Sequence, residues 1–283
     1  RPHRCGPALR MDCEVIVSTY NKPRELNLVL LALSLQRGAD FGICVADDGS
    51  AEPTAELVER WQARLGGTRL RRVWHPDNGF QKNRILNRAI DSSTADYLVF
   101  IDGDCVARPD FIATHLARRR PRAFLSGGMV RLPRAASDAM TEAEVADGRV
   151  FQADWLRTHG GGLRLSTRLK AALLPAPLAQ LLERITPVKR TWNGANSSGW
   201  RRDIVAVNGF DERLRYGAED VEMGVRMVHD GVQAVSARYS LALLHLEHDR
   251  PYADKQVIAA NHAHVDAVRR GGQRWTEHGI RPG

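Results

Sequence analysis

A chain of 283 residues with 43% hydrophobic and 26% charged residues has an ordinary globular composition and enough apolar side chains for a sizeable core. Its 41 Lys and Arg against 33 Asp and Glu leave a net charge of +8, which favours anionic partners without choosing among nucleotides, phosphorylated glycans and lipid headgroups. No apolar run reaches membrane-spanning length, the four cysteines form no CxxC pair and suit a reducing cytoplasm, and the start shows no signal-peptide pattern, so residues 1–10 read as a loose tail.

Strand-like and helix-like runs alternate from Glu14 to Phe111, the pattern of βαβ units with a mostly parallel sheet. Val15-Ile16-Val17 predicts the first strand, which opens into Ser18-Thr19-Tyr20-Asn21 before Pro23 starts a helix with Leu26, Leu30 and Leu33 on one face. Phe41 to Ala46 predicts the second strand, ended by Asp47-Asp48-Gly49-Ser50 and followed by a helix from Pro53 to Leu65. A third strand near Leu70 to Trp74 leads through His75-Pro76-Asp77-Asn78-Gly79 into a helix through Ile85 and Ala89. Tyr97 to Ile101 predicts a strand buried on both faces that stops at Asp102-Gly103-Asp104, with Pro109 starting another helix. These polar strand ends gather along one edge of the sheet, where open α/β sheets bind ligands.

Beyond Pro133 the pattern changes. Thr141 to Arg157 predicts a helix, Gly160-Gly161-Gly162 interrupts it, and Leu163 to Arg190 mixes leucines with basic residues and three prolines, as an insert would. A second block from Thr191 to Asp249 carries a predicted helix from Glu219 to His229 and a strand-like run from Val235 to Leu246, and Ala253 to Arg270 predicts a closing helix. The chain thus divides into residues 11–135, 136–190 and 191–283.

Asp102-Gly103-Asp104 at a strand end suits a hard divalent cation, and it is equally ordinary turn chemistry. Five stretches, "VSTYNKP", "VADDGS", "GFQKNRILNRAI", "FIDGDC" and "VNGFDERLRYGAEDVEMGVRM", occur in the order expected of an inverting family 2 glycosyltransferase, and the chain resembles that family from about Val15 to Asp249. The resemblance implies an α/β GT-A fold: a Rossmann-like sheet whose 11–135 half binds a nucleotide sugar, a helical insert over 136–190, and an acceptor-binding, metal-completing half over 191–283.

It also implies residue roles. Thr19, Tyr20 and Asn21 would hold base and ribose, Arg24 would lie near the diphosphate, and Asp48 would accept the imide N–H of uracil, with turn and helix-cap roles as the alternative for Asn21 and Asp48. Asp102 and Gly103 would lie by the ribose and the metal, and Asp104 would bind Mn²⁺ or Mg²⁺. Lys82 and Arg84 are either phosphate contacts or a solvated helix face. Asp220 matches the general base and Glu219 the acceptor contact, although acids at a helix start are also favoured by the helix dipole. Tyr216-Gly217-Ala218 stands where many relatives carry Trp-Gly-Gly. Of the two histidines, His248, followed by Asp249-Arg250, is taken to complete the metal site, with His245 behind it or in the core. Trp192 and Asn196 are placed on a sugar, or else Trp192 is buried beside a tight turn. The insert reads as basic amphipathic helices on an anionic membrane or over the acceptor cleft, or as plain packing with Leu173, Leu178 and Leu181 in the core.

The resulting expectation is a metal-dependent transferase moving a sugar from a UDP-sugar to a hydroxyl of a bacterial-type surface glycan or glycolipid such as lipopolysaccharide or capsule, in the cytoplasm or at the inner face of the cytoplasmic membrane and without nucleic acid. A metal-dependent nucleotidyltransferase and a non-catalytic glycan- or nucleotide-binding module are the alternatives.

Overall fold

The structure, a computed structural model, describes residues 12–160, 167, 170–171, 174–186, 188, 191–249 and 253–281. Three apolar runs form the centre of the sheet: β1 (Cys13–Thr19), β2 (Gly42–Asp47) and β4 (Tyr97–Asp102), all but the last residue buried. Such strands must be covered on both faces, and alternation of side chains decides which residue meets which layer. Val15 and Val17 of β1 face one core with Leu26, Leu30, Val58 and Trp61, whereas Ile16 between them faces a second core with Ile85, Phe100, Trp192, Phe210 and Met227.

The helices supplying these layers follow the expected punctuation. α1 (Pro23–Ser34) and α2 (Glu52–Leu65) each carry proline in the first turn, where no backbone N–H partner is lost, and they cover the first face. α3 (Lys82–Asp91) covers the other, joined later by a helix from Glu219 to His229. β3 (Leu70–Trp74) pairs in parallel with β2, and β1 lies parallel to both β2 and β4.

The sheet then becomes mixed. β5 (Cys105–Ala107), α4 (Phe111–Arg118) and β6 (Ala123–Arg131) precede the helical segment, and β7 (Asn196–Trp200) returns antiparallel between β4 and β6. β8 (Gln233–His245) lies parallel to β6 and antiparallel to β5, giving an eight-stranded order β3-β2-β1-β4-β7-β6-β8-β5. Strand β7, from the 191–283 segment, therefore sits inside the sheet built by residues 11–135.

Between β6 and β7 the expected helix over Thr141 to Arg157 is broken into pieces. α5 (Arg134–Ala139) and α6 (Glu142–Ala146) are followed by a left-handed Gly148, a 3₁₀ turn (Arg149–Phe151) and α7 (Ala153–His159). Thr141 and Glu144 form a reciprocal cap on α6, which fixes its start independently of what precedes it. Next comes α8 (Ala176–Ile185), held to β8 by Glu183, whose carboxylate accepts the Tyr239 and Ser240 N–H groups and pairs with Arg118. Because that contact uses Ala179 and Glu183, the leucines on the other side, Leu178 and Leu181, are exposed and not in the core. Leu173, Arg164 and Arg168 lie outside the described residues. α9 (Arg201–Ala206), α10 (Glu219–His229) and α11 (Lys255–Gly271) complete the chain. No helix among the described residues is long and apolar enough to cross a membrane.

Candidate active site

The carboxyl ends of β1, β2, β3 and β4 open on one edge of the sheet, so the parallel register alone gathers their loops. The loops after β1 and β2 are clasped: the Asn21 N–H donates to Ser50 Oγ at 2.8 Å and Asn21 Oδ1 accepts the Ala51 N–H at 2.8 Å, with Asn21 itself left-handed (φ 49). Tyr20, at the rim, donates its hydroxyl to Asp77 Oδ2 at 2.8 Å. Thr19 is buried at the end of β1. Asp47 is tied to Arg72 and caps Ser50, whereas Asp48 turns the other way, taking His75 Nε2 at 2.7 Å and the Gln81 N–H at 2.9 Å.

The turn after β4 is pressed against β1. The Gly103 N–H donates to the Ser18 carbonyl at 2.7 Å, and any Cβ at Gly103 would stand 3.0 Å from that oxygen, so a side chain there would push the turn outward. This places Asp102 beside Ser18, which donates to Oδ1 at 2.7 Å, and under Lys82, whose Nζ donates to the same oxygen at 2.6 Å. Lys82 is held strongly protonated: burial works against its charge, but Asp102, Glu219 and Asp220 outweigh burial.

Asp104, two residues on, points into a different cluster with His245 and His248, the three ligand atoms lying within 4.8 Å of one another. His248 Nε2 is 2.9 Å from Asp104 Oδ2, His245 Nε2 is 3.6 Å from Oδ1, and Lys22 Nζ is 3.1 Å from Oδ2. Burial opposes the charge on Asp104, yet the His248, His245 and Lys22 contacts hold its carboxyl well below the ordinary range. His248 Nδ1 lies 2.8 Å from the Asp249 carbonyl, so it carries the proton and leaves Nε2 to bind a cation or a second proton. Adjacent donors of an octahedral ion at about 2.1 Å sit about 3 Å apart, and one carboxylate with two imidazoles fits a borderline divalent ion such as Mn²⁺ better than Mg²⁺. Both histidines face Asp104, His248 the nearer of the two.

Asp220 opens α10 and is held by backbone: Oδ2 accepts the Gly194 N–H at 2.5 Å and Oδ1 the Val221 N–H at 2.9 Å. Glu219 accepts the Gly217 N–H at 2.7 Å. Burial raises the pKa of both carboxyls; repulsion from Asp220 adds to this at Glu219 and repulsion from Asp102 at Asp220, and Lys82 opposes it in both.

Other expected residues stand elsewhere. The Arg24 guanidinium donates to the carbonyls of Ser137, Asp138 and Met140, tying α1 to α5, so it is committed to backbone and not turned to the Asp102 cluster. Arg84 faces Glu212 at 3.7 Å. Trp192 is a core residue packed against Phe100, Phe124 and Phe210, and so unable to stack on a sugar. Asn196 is buried and ties Gly128 to Leu241 through its amide. Arg250 lies outside the described residues. Lys22 and His75 were not singled out in the sequence; His75 was signalled by its place one residue beyond β3, parallel to β2, which ends one residue before Asp48.

Residues 14–120 match the family model described as Glycosyl transferase family 2. Validoxylamine A glucosyltransferase of Streptomyces hygroscopicus subsp. jinggangensis is 27% identical over 239 residues, 80% of this chain and 53% of that protein. Chondroitin synthase of Escherichia coli is 23% identical over 81% of this chain and 34% of its own length. The chain thus spans about half or less of the length of these curated relatives. Among solved structures, the mannosyltransferase PcManGT from Pyrobaculum calidifontis, in complex with GDP-Man and Mn²⁺, superposes with a TM-score of 0.57 at 19% identity, covering 89% of this chain and 62% of that one. Residues 14–120 thus match the family 2 glycosyltransferases, a family of transferase enzymes, and the chain has the GT-A fold.

Proposed function

We propose that the chain transfers a sugar from a UDP-sugar to a hydroxyl of a surface glycan or glycolipid with inversion at the anomeric carbon. The observation that carries this reading is Asp220: a half-buried carboxylate, oriented by two backbone amides beside Lys82 and Asp102, at the same sheet edge as the Asp104 cluster. Asp220 takes the proton from the acceptor hydroxyl as the new O–C1 bond forms and the C1–O bond to the diphosphate breaks, releasing the nucleoside diphosphate. Glu219 holds the acceptor sugar and is itself held by Gly217. Lys82 and Asp102 stand on the donor side, and Asp48 with Tyr20 takes the base.

Asp104, His245 and His248 would hold a divalent ion, with Mn²⁺ supported by the donor set and by the ion in the PcManGT complex. When bound, such an ion neutralises charge on the departing diphosphate. The exposed stripe Leu178, Leu181 and Ile185 on α8, with the exposed Arg184 on the same helix, supports contact with an anionic membrane at its cytoplasmic face, where a glycolipid acceptor is presented.

The test is release of UDP from a panel of UDP-sugars with candidate acceptors, with Mn²⁺ and with EDTA. UDP release that needs Mn²⁺ and is abolished in Asp104→Asn is expected. Pyrophosphate as product would instead identify a nucleotidyltransferase, and nucleotide binding without turnover a binding module.

A further inference from the structure

The loop after β3 carries a buried imidazole to which none of these roles assigns a task. His75 is 3% exposed. The pairing of Asp47 with Trp74 across parallel β2 and β3 brings the next residues, Asp48 and His75, side by side. His75 Nε2 meets Asp48 Oδ1 at 2.7 Å, and the other carboxylate oxygen accepts the Gln81 N–H. His75 Nδ1 is buried without a hydrogen-bond partner among the described residues. A proton on Nδ1 would be a stranded donor, so the tautomer that buries no unpaired N–H carries its proton on Nε2 and donates it to Asp48.

Asp48 is thereby fixed as an acceptor. Burial pushes its carboxyl toward the protonated form, and the contacts from His75 and Gln81 oppose that shift. The surrounding loops are rigidly placed: Gly49 has φ +93, and a Cβ there would lie 2.5 Å from Asp77 Cα, so the β2 and β3 loops touch backbone to backbone. Tyr20 bonds the same Asp77 and offers a partly exposed ring at the rim.

We propose that His75 is a positioning residue that orients Asp48 as an acceptor toward the donor's nucleobase, so the pocket takes a base with an imide N–H, as in uracil, and discriminates against cytosine. Cytosine carries a lone pair at N3 where uracil carries a proton, so it would face the carboxylate acceptor to acceptor. Without the imidazole N–H, Asp48 Oδ1 loses the donor that holds the carboxylate in place, so its acceptor face is no longer fixed on the base and the discrimination weakens. The inference rests on the nucleotide-sugar reading above.

The experiment is calorimetric binding of UDP, CDP and GDP, with Mn²⁺ present, to wild type, His75→Leu and His75→Gln, with thermal melting to report on the fold. A site built to hydrogen-bond one group rejects the analogue lacking it, so wild type should prefer UDP over CDP by at least roughly tenfold. His75→Leu should lose most of that ratio while still melting cooperatively, and His75→Gln, whose amide N–H replaces the imidazole donor, should recover it. An unchanged UDP-to-CDP ratio in a folded His75→Leu overturns the proposal, as does failure of the glutamine to restore a ratio the leucine has lost. Preference of the wild type for GDP overturns the uridine reading instead; guanine also presents an N–H, and the ratio of GDP to CDP in His75→Leu then tests His75 by itself. A wild type that binds no nucleotide overturns both.

Discussion

At the scale of single residues, the pair Glu219-Asp220 is where the chemistry and the ordinary physics of a helix start meet. Acids there stabilise α10 through the helix dipole whatever their function, but Asp220 is aimed at Gly194, outside its own helix. Asp220→Asn keeps the size of the side chain and removes its basicity, so kcat should fall by about 10²–10⁴-fold with UDP affinity nearly unchanged, read by steady-state kinetics and calorimetry. Near-wild-type kcat would move the base elsewhere. The pair also sets a pH signature. Burial raises both carboxyls, so Asp220 loses its proton at higher pH than an ordinary aspartate, and the acid limb of kcat should lie above that of an ordinary aspartate base. Lys82 favours ionisation of both groups, so Lys82→Met should shift that limb to higher pH; an unmoved limb would show that Lys82 acts on the donor alone.

At the scale of elements, the turn into α10 carries a visible compromise. Ala218, just before its first residue, is left-handed with φ 64. A left-handed alanine costs about 1–2 kcal/mol, and replacing it by glycine gives back about 0.4–1 kcal/mol of chain entropy to the unfolded state. Ala218→Gly should therefore stabilise by about 0.5–1 kcal/mol in urea denaturation, and destabilisation would mean that the methyl group packs usefully. The same helix is anchored by Arg226, fully buried, which is paired with Glu222 at 2.7 Å and donates to the carbonyls of Val207 and Gly209. Arg226→Met strands a buried carboxylate, and a loss of about 3–5 kcal/mol of stability is expected. A loss below 1 kcal/mol would show that Glu222 finds water or another partner.

At the scale of the whole molecule, one sheet joins residues 11–135 to residues 191–283. β7 enters between β4 and β6, so the loop carrying Gly194 arrives beside Asp220 by strand pairing and not by docking of a separate unit. The apolar stripe of α8 points away from this sheet. Doubling the change, Leu181→Ser with Ile185→Ser should reduce co-sedimentation with anionic vesicles while turnover of a water-soluble acceptor stays the same, and high salt should reduce binding of the wild type as well. Equal binding by the double variant would exclude α8 from the contact.

What the sequence determined by itself is the local layer: runs such as Tyr97 to Ile101 and Glu219 to His229 have a single period and clear punctuation, and their ends fall within a residue of where the structure has them. The ordered stretches from "VSTYNKP" to "VNGFDERLRYGAED" also sufficed for the family. The tertiary structure decided everything that depends on which surfaces meet. Trp192 looked like a platform for a sugar and is core, because β7 packs its turn against Phe100 and Phe210. Arg24 looked free for a phosphate and is taken by three carbonyls more than a hundred residues away. His245 and His75 became neighbours of Asp104 and Asp48 only through strand register. Hydrophobic period is a property of adjacent residues, whereas a side chain's partner is fixed by pairing and packing between distant ones, and a single sequence records the first and not the second.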